Sequence, residues 1–291
     1  MKRILTLLSI ASIVACQKPY DYDIDFGIKT ESNTVNVKDS VRFYFTGNAD
    51  NIIFYSGEKG RNYEFRDRIT AAGVPILSFE SVVQHYKEHS LSVYASTDFK
   101  TPYNEEQIKK ASWIDITDRA TLATENVSVQ SGEIDLSEFA STDIPVTIAY
   151  RFHAEKEASP QPQWTLSSFS IKNVLEDGTA FTAADMTDAY FIPVDLKNAD
   201  NKWTVSNTQL MIKGGDSDAE ENEDWLITKP IYANKVTPDV GQPIKSLSYN
   251  MPGQFAYTFD EPGEYKCVFE TKNHTVFGQR SVVKEIVITV K

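Results

Sequence analysis

Cysteine is the scarcest reactive side chain in this sequence. Only Cys16 and Cys267 occur in 291 residues, so no disulfide framework or cysteine-rich metal site can organise the fold. Histidine is nearly as rare, with His85, His89, His153 and His274. No Gly-x-Ser-x-Gly elbow occurs and neither cysteine has a histidine beside it, which removes the common nucleophile arrangements. Positive charge is in the minority, at 29 Lys and Arg against 41 Asp and Glu. The net charge of −12 makes nucleic acid and anionic lipid surfaces poor partners, while neutral ligands such as glycans carry no penalty. Beyond the first fifteen residues no apolar run approaches the roughly 20 residues of a membrane-spanning helix. Helical periodicity is confined to two short windows, 105–111 and 183–189.

What is present begins with the first segment. Lys2 and Arg3 precede an apolar run from Ile4 to Val14 that is too short to span a bilayer and reads as a signal-peptide core. It ends in Ile13-Val14-Ala15-Cys16, which resembles a bacterial lipobox, and no A-x-A cleavage site competes with it. The resemblance implies a leader over residues 1–15 and an acylated Cys16 as first mature residue, followed by a tether over 16–22. Loss of Lys2 and Arg3 takes the basic count from 29 to 27 and the net charge from −12 to −14. With Cys16 acylated, Cys267 has no disulfide partner. The alternation Tyr265-Lys266-Cys267-Val268-Phe269 makes Cys267 a buried strand residue.

Short β-branched and aromatic runs recur along the rest of the chain. Examples are Val41-Arg42-Phe43-Tyr44-Phe45, Leu91-Ser92-Val93-Tyr94, Val146-Thr147-Ile148-Ala149-Tyr150 and the segments 164–171 and 285–290. Turn signals such as Gly47-Asn48, Ser56-Gly57, Pro252-Gly253 and Pro262-Gly263 separate them. The expected class is all-β, most simply two sandwiches. Near the end, Phe255-Ala256-Tyr257-Thr258-Phe259, then Pro262-Gly263-Glu264-Tyr265, then Ile288-Thr289-Val290, resembles the second half of a PKD-type immunoglobulin-like domain. Residues 23–66 supply the missing first half. The expected organisation is therefore a discontinuous Ig-like domain, 23–66 plus 234–291, with 67–233 inserted; two or three consecutive domains are the simpler alternative.

The insert carries its own pattern: Trp113-x-Asp115-Ile116, Ser131-Gly132-Glu133-Ile134-Asp135-Leu136-Ser137, and Trp164-Thr165-Leu166-x-x-Phe169-x-Ile171. This order resembles the jelly-roll modules of cleaved adhesins. The Asp224-Trp225-Leu226-Ile227 stretch matches a segment that opens those modules but stands here at the end, which implies a circular permutation. Taken whole, and on Phe54-Tyr55-Ser56-Gly57-Glu58 and the 113–137 block in particular, the chain resembles a family of Bacteroidota surface lipoproteins of unknown function. That resemblance implies an accessory role like that of SusE and SusF in glycan uptake, beside a SusC/SusD-like complex at the outer membrane.

Candidate chemistry is sparse. His85 and His89 have the i,i+4 spacing of a helical metal pair, but Tyr86-Lys87-Glu88 between them is not the zinc-protease order, and an exposed loop is the expectation. Glu133 and Asp135 would share one face of a strand. A glycosidase pair needs carboxyls held about 5 or 6.5–9.5 Å apart across a cleft, which spacing alone does not supply. The acidic run from Asp216 to Asp224 lacks the glycine and terminal glutamate of an EF-hand, and a solvated loop is expected. Trp113, Trp164 and Trp225 sit in apolar strand patterns and are expected in the core. Trp203, after the polar stretch 198–202, and Tyr103, in Thr101-Pro102-Tyr103, are the candidate sugar-stacking residues. The expected function is a non-catalytic, lipid-anchored glycan-binding protein that needs no cofactor or metal; a structural or adhesive protein contacting a protein partner is the alternative. The short tether places the Ig-like domain near the membrane.

Overall fold

Alternation decides the fold locally. In the strand Ser40–Gly47, Val41, Phe43 and Phe45 are buried while Arg42 and Thr46 are exposed. In Val74–Gln84 the buried set is Pro75, Leu77, Phe79, Ser81 and Val83. Side chains of period 2 on half-buried strands produce these patterns, and the computed structural model is accordingly all-β, built from antiparallel sheets in sandwich-like arrangements. It describes residues 24–275 and 278–291. Cys16, the leader 1–15 and the tether 16–22 lie outside the described residues. No helix among the described residues is long and apolar enough to cross a membrane.

The chain divides into two units, one built from residues up to Asp67 together with Asp239–Lys291, the other from Arg68–Pro238. Residues 234–238, placed by sequence with the first domain, bond within the second. Ala71 N–H donates to Asn234 O, Val236 N–H donates to Ile69 O, and Thr70 bridges Lys235.

The first unit pairs a three-stranded sheet, Phe26–Thr30, Ser40–Gly47 and Gln254–Thr258, with a five-stranded one. The latter runs Gln242–Lys245, Asn51–Tyr55, Gly263–Thr275, Gly278–Val290 and Thr34–Val35. Its core is aromatic: Phe43 packs edge-on to Phe269 at 4.9 Å, and Phe54 lies 4.8 Å from Phe269. The corner between the sheets is Gly47, whose φ of +90° and 2.0 Å from a would-be Cβ to Asp25 O admit only glycine. Cys267 is buried in this core and its thiol is pushed up to about 12 by burial and by Glu58.

The second unit faces a five-stranded sheet, Ile192–Lys197, Asn222–Ile227, Thr147–Ala154, Leu91–Ser96 and Ile114–Asp115, against a seven-stranded sheet centred on Gln163–Val174 and Val74–Gln84. A bulge between Ser167 and Ser170, with Ser168 at φ 55°, shifts the register of Gln163–Val174. It lets Trp164 and Leu166 on one side, and Phe169 and Ile171 on the other, all face the core despite opposite parity. The window 105–111 forms the helix Glu105–Lys110, capped by the Asn104 side chain on Gln107 N–H. The window 183–189 does not. Ala183 and Ala184 lie in the strand Ala180–Asp185, where pairing with Gln163–Val174 overrides the helix preference of alanine.

Candidate functional site

Both predicted sugar-stacking residues are in the second unit, and the structure separates them. Trp203 is only 2% exposed and belongs to the core between the sheets, so its indole cannot form a platform. The polar stretch before it ends in the short strand Thr204–Val205, whose pairing with Leu210–Lys213 turns Trp203 inward. Tyr103 is half-buried, packs 5.4 Å from Phe99, and donates its hydroxyl to Thr228 O at 3.3 Å. It belongs to a second apolar cluster on the outer face of the five-stranded sheet, with Phe99, Ile108, Trp113 and Trp225. Of the three tryptophans expected in the core, Trp164 is buried between the sheets and Trp225 is buried in this outer cluster, with Trp113 partly buried 5.2 Å from it.

The predicted carboxylate and histidine constellations resolve into local structure. Glu133 and Asp135 are both exposed; Asp135 accepts from Ser137 N–H at 2.7 Å, and the Ser137 hydrogen bonds hold its carboxyl below the usual range. His85 and His89 sit in the turn joining Val74–Gln84 to Leu91–Ser96, at φ 55° and 60°, so no helix aligns them. Among the described residues no group of three or more His, Cys, Asp or Glu could hold a metal ion. The acidic run begins as the exposed loop that was expected, at 216–220, and its later members meet partners: Glu220 meets Lys156 at 2.6 Å, Glu221 meets Lys197 at 2.5 Å and the His153 ring at 3.2 Å, and Glu223 meets Arg151 at 2.8 Å.

These ion pairs frame one end of the second unit, where the structure does form a cleft. A cavity of about 340 Å3 lies between the 85–90 turn and the 154–162 loop, lined by Lys87, His89, His153, Glu155, Glu157 and Gln161 among others. A smaller groove of about 190 Å3 lies on the other side of the same turn, against Tyr86, Thr117, Leu122 and Thr124. Tyr86 is 43% exposed.

The turn between the two grooves is held from below. Trp164 Nε1–H donates to Ser90 Oγ at 3.0 Å, Ser90 Oγ donates to Lys87 O at 2.7 Å, and His153 N–H donates to Ser90 O. The opposite wall hangs on Gln161. Its amide donates to Glu155 O and Glu220 O and accepts from Gly215 N–H, which joins the 154–162 loop to the acidic loop. Across the cleft mouth Lys87 meets Glu157 at 2.5 Å and holds that carboxyl below its usual range.

Chemically the cleft offers imidazole, ammonium, carboxylate and carbonyl groups over Ala154, Pro160 and Pro162, with a phenol beside it. Such a mixture suits a hydroxyl-rich ligand of sugar size, and the volume falls at the lower end of ligand pockets, which span about 300–1,000 Å3. Sequence reasoning missed Tyr86, Lys87 and Gln161. The one available signal was an aromatic residue set in a polar turn between two strands.

An all-β chain with two sandwich-like units and a polar cleft at the loop end of one of them is thus the class defined here. The chain belongs to the family described as Domain of unknown function (DUF5017), whose model matches residues 15–191. Neither the curated proteins nor the solved structures give a match. The matched stretch contains the 85–90 turn and the 154–162 loop, and stops before the strands Ile192–Lys197 and Asn222–Ile227.

Proposed function

We propose that this protein is a non-catalytic, lipid-anchored glycan-binding protein of the outer membrane, acylated at Cys16. In this reading it serves a polysaccharide uptake system beside a SusC/SusD-like complex, and its units are a PKD-type Ig-like domain and a jelly roll like those of cleaved adhesins. The observation that carries the binding role is the cleft beside the 85–90 turn, with His153, Glu155 and Gln161 on one wall and Tyr86 exposed in the adjoining groove across that turn. A phenol face and several hydrogen-bonding groups match the alternating apolar and hydroxyl faces of a sugar ring. The lipobox-like Ile13-Val14-Ala15-Cys16 supports the anchor.

Titration calorimetry against neutral oligosaccharides tests the reading. A saturable heat with at least one oligosaccharide, lost in Tyr86→Ala and His153→Ala, is the expected result. Uniform absence of heat across the panel overturns it. The alternative, adhesion to a protein partner, has its own observation at the other end of the same unit. There Tyr190 is 64% exposed with Lys229 Nζ 4.5 Å above its ring, and Tyr232 is 46% exposed. A partner that binds wild type but not Tyr190→Ala, with no sugar affinity, would favour that reading.

A further inference from the structure

The first unit carries an apolar loop tip that its own fold does not use. Strand Gln242–Lys245 ends in the segment 246–253, which leads into Gln254–Thr258. Residues 246–254 contain no charged side chain, in a chain where 24% of residues are charged. Leu247 and Tyr249 at its tip are 74% and 72% exposed, the highest values among the exposed large hydrophobic residues. Tyr249 N–H donates to Ser246 O and closes a turn that holds the tip. Lys245 at the base is buried, and its ammonium donates to Asp50 O at 2.9 Å and Ser246 O at 3.4 Å. The ammonium at the base is thus turned inward, and the 246–253 tip itself carries no charge.

The register of the sheets fixes where this tip points. Phe45 N–H donates to Gly253 O, and Phe26 pairs with Gly47. The 246–253 loop and the start of the described chain at Ile24 therefore leave the three-stranded sheet from the same end of its strands. The segments 56–67 and 239–241 lie at the other end, since Gln242 pairs with Phe54 and Lys245 with Ile52. From Cys16 to Ile24 is eight residues, a span of at most about 28 Å when fully extended. An acyl chain on Cys16 would hold this end of the unit within that distance of a bilayer.

We infer that Leu247 and Tyr249 form a second contact with the lipid surface, shallowly inserted at the headgroup level and cooperating with the acylated Cys16. The inference rests on the proposed anchor at Cys16. Tyrosine suits such a position because its ring is apolar and its hydroxyl stays wet. A leucine and a tyrosine are too little to hold a protein on a membrane unaided, but a tethered loop meets the surface at high effective concentration. The contact is apolar rather than electrostatic, in keeping with the net negative charge. Its consequence is orientation, because a tether alone leaves the first unit free to tumble and two points of contact do not.

The test uses the full-length acylated protein with an environment-sensitive fluorophore on Leu247→Cys, and on Val240→Cys as a control at the other end of the unit. Cys267 is buried and does not compete for the label. The host is a phosphatidylethanolamine and phosphatidylcholine vesicle containing doxyl-labelled lipid. Quenching and a blue shift at position 247, with neither at 240, is the expected result. Equal and negligible quenching at both positions, in protein that carries the acyl mass and floats with the vesicles, overturns the lipid contact and leaves the anchor standing. Protein without the acyl mass that does not float overturns the anchor, and the loop contact with it.

Discussion

Asp224 and Asp195 stand directly opposite one another on neighbouring strands, and Asp224 is fully buried with neither carboxylate oxygen hydrogen-bonded. Burial first, and the Asp195 charge second, push the Asp224 carboxyl up to about 7, while the Asn222 amide is turned to Asn201 O at 2.8 Å. In the unfolded chain the same group ionises near 3.9. The folded state therefore holds the proton more tightly between about pH 4 and pH 7, and stability falls as pH rises through that window. Asp224→Asn should flatten the slope and raise both the melting temperature and the unfolding free energy at pH 8, the latter by at most about 4 kcal/mol. Thermal melts from pH 4 to 8 check this. A variant with the same slope as wild type would refute it.

Gln161 joins two loops through three hydrogen bonds to backbone groups. Gln161→Ala leaves the buried Gly215 N–H without its acceptor and frees two part-buried carbonyls, and should cost about 1–3 kcal/mol. Limited proteolysis should then cut within 155–162 or 214–221 before the rest of the second unit. Cleavage rates unchanged from wild type would argue against the pin.

Trp203 and Tyr86 are expected to separate stability from binding. Trp203→Ala empties a core site and should destabilise by about 3–5 kcal/mol. Tyr86→Ala removes an exposed ring and should change stability by no more than about 0.5 kcal/mol, while weakening oligosaccharide binding at least tenfold. Urea melts read the first quantity and calorimetry the second. A Tyr86→Ala protein with undiminished affinity would move the sugar site elsewhere.

Cys267 should be silent to thiol reagents in the folded protein, because its Sγ is buried against Ser56 O and its thiol is held far from ionisation. In the Cys16→Ser protein one thiol should react with Ellman's reagent only above the unfolding midpoint in urea. Rapid reaction in native buffer at pH 8 would mean that the core of the first unit opens.

Several features were legible in the residue order because they are local. The spacing Trp164-x-Leu166-x-x-Phe169-x-Ile171 breaks its own period of two, and the structure places the bulge inside that doubled gap, between Ser167 and Ser170. The buried Cys267 followed from strand alternation in the same way. Tyr103 and Trp203 were chosen for polar neighbours in sequence, and those neighbours said nothing about the sheet above. The ion pairs of Glu220, Glu221 and Glu223 were not legible because their partners Lys156, Lys197 and Arg151 come from other strands and loops.

By itself the sequence determined the strand class, the burial of Cys267 and the turn positions between strands, since all of these depend on neighbours a few residues away. Only the tertiary structure decided that Trp203 is core, that Tyr86 is exposed beside a cleft, that Asp224 is buried without a partner and that the 246–253 loop shares an end with Ile24. Burial and charge pairing are properties of surfaces brought together across long separations. Which residues meet there is set by sheet order and register, and no short-range pattern encodes them.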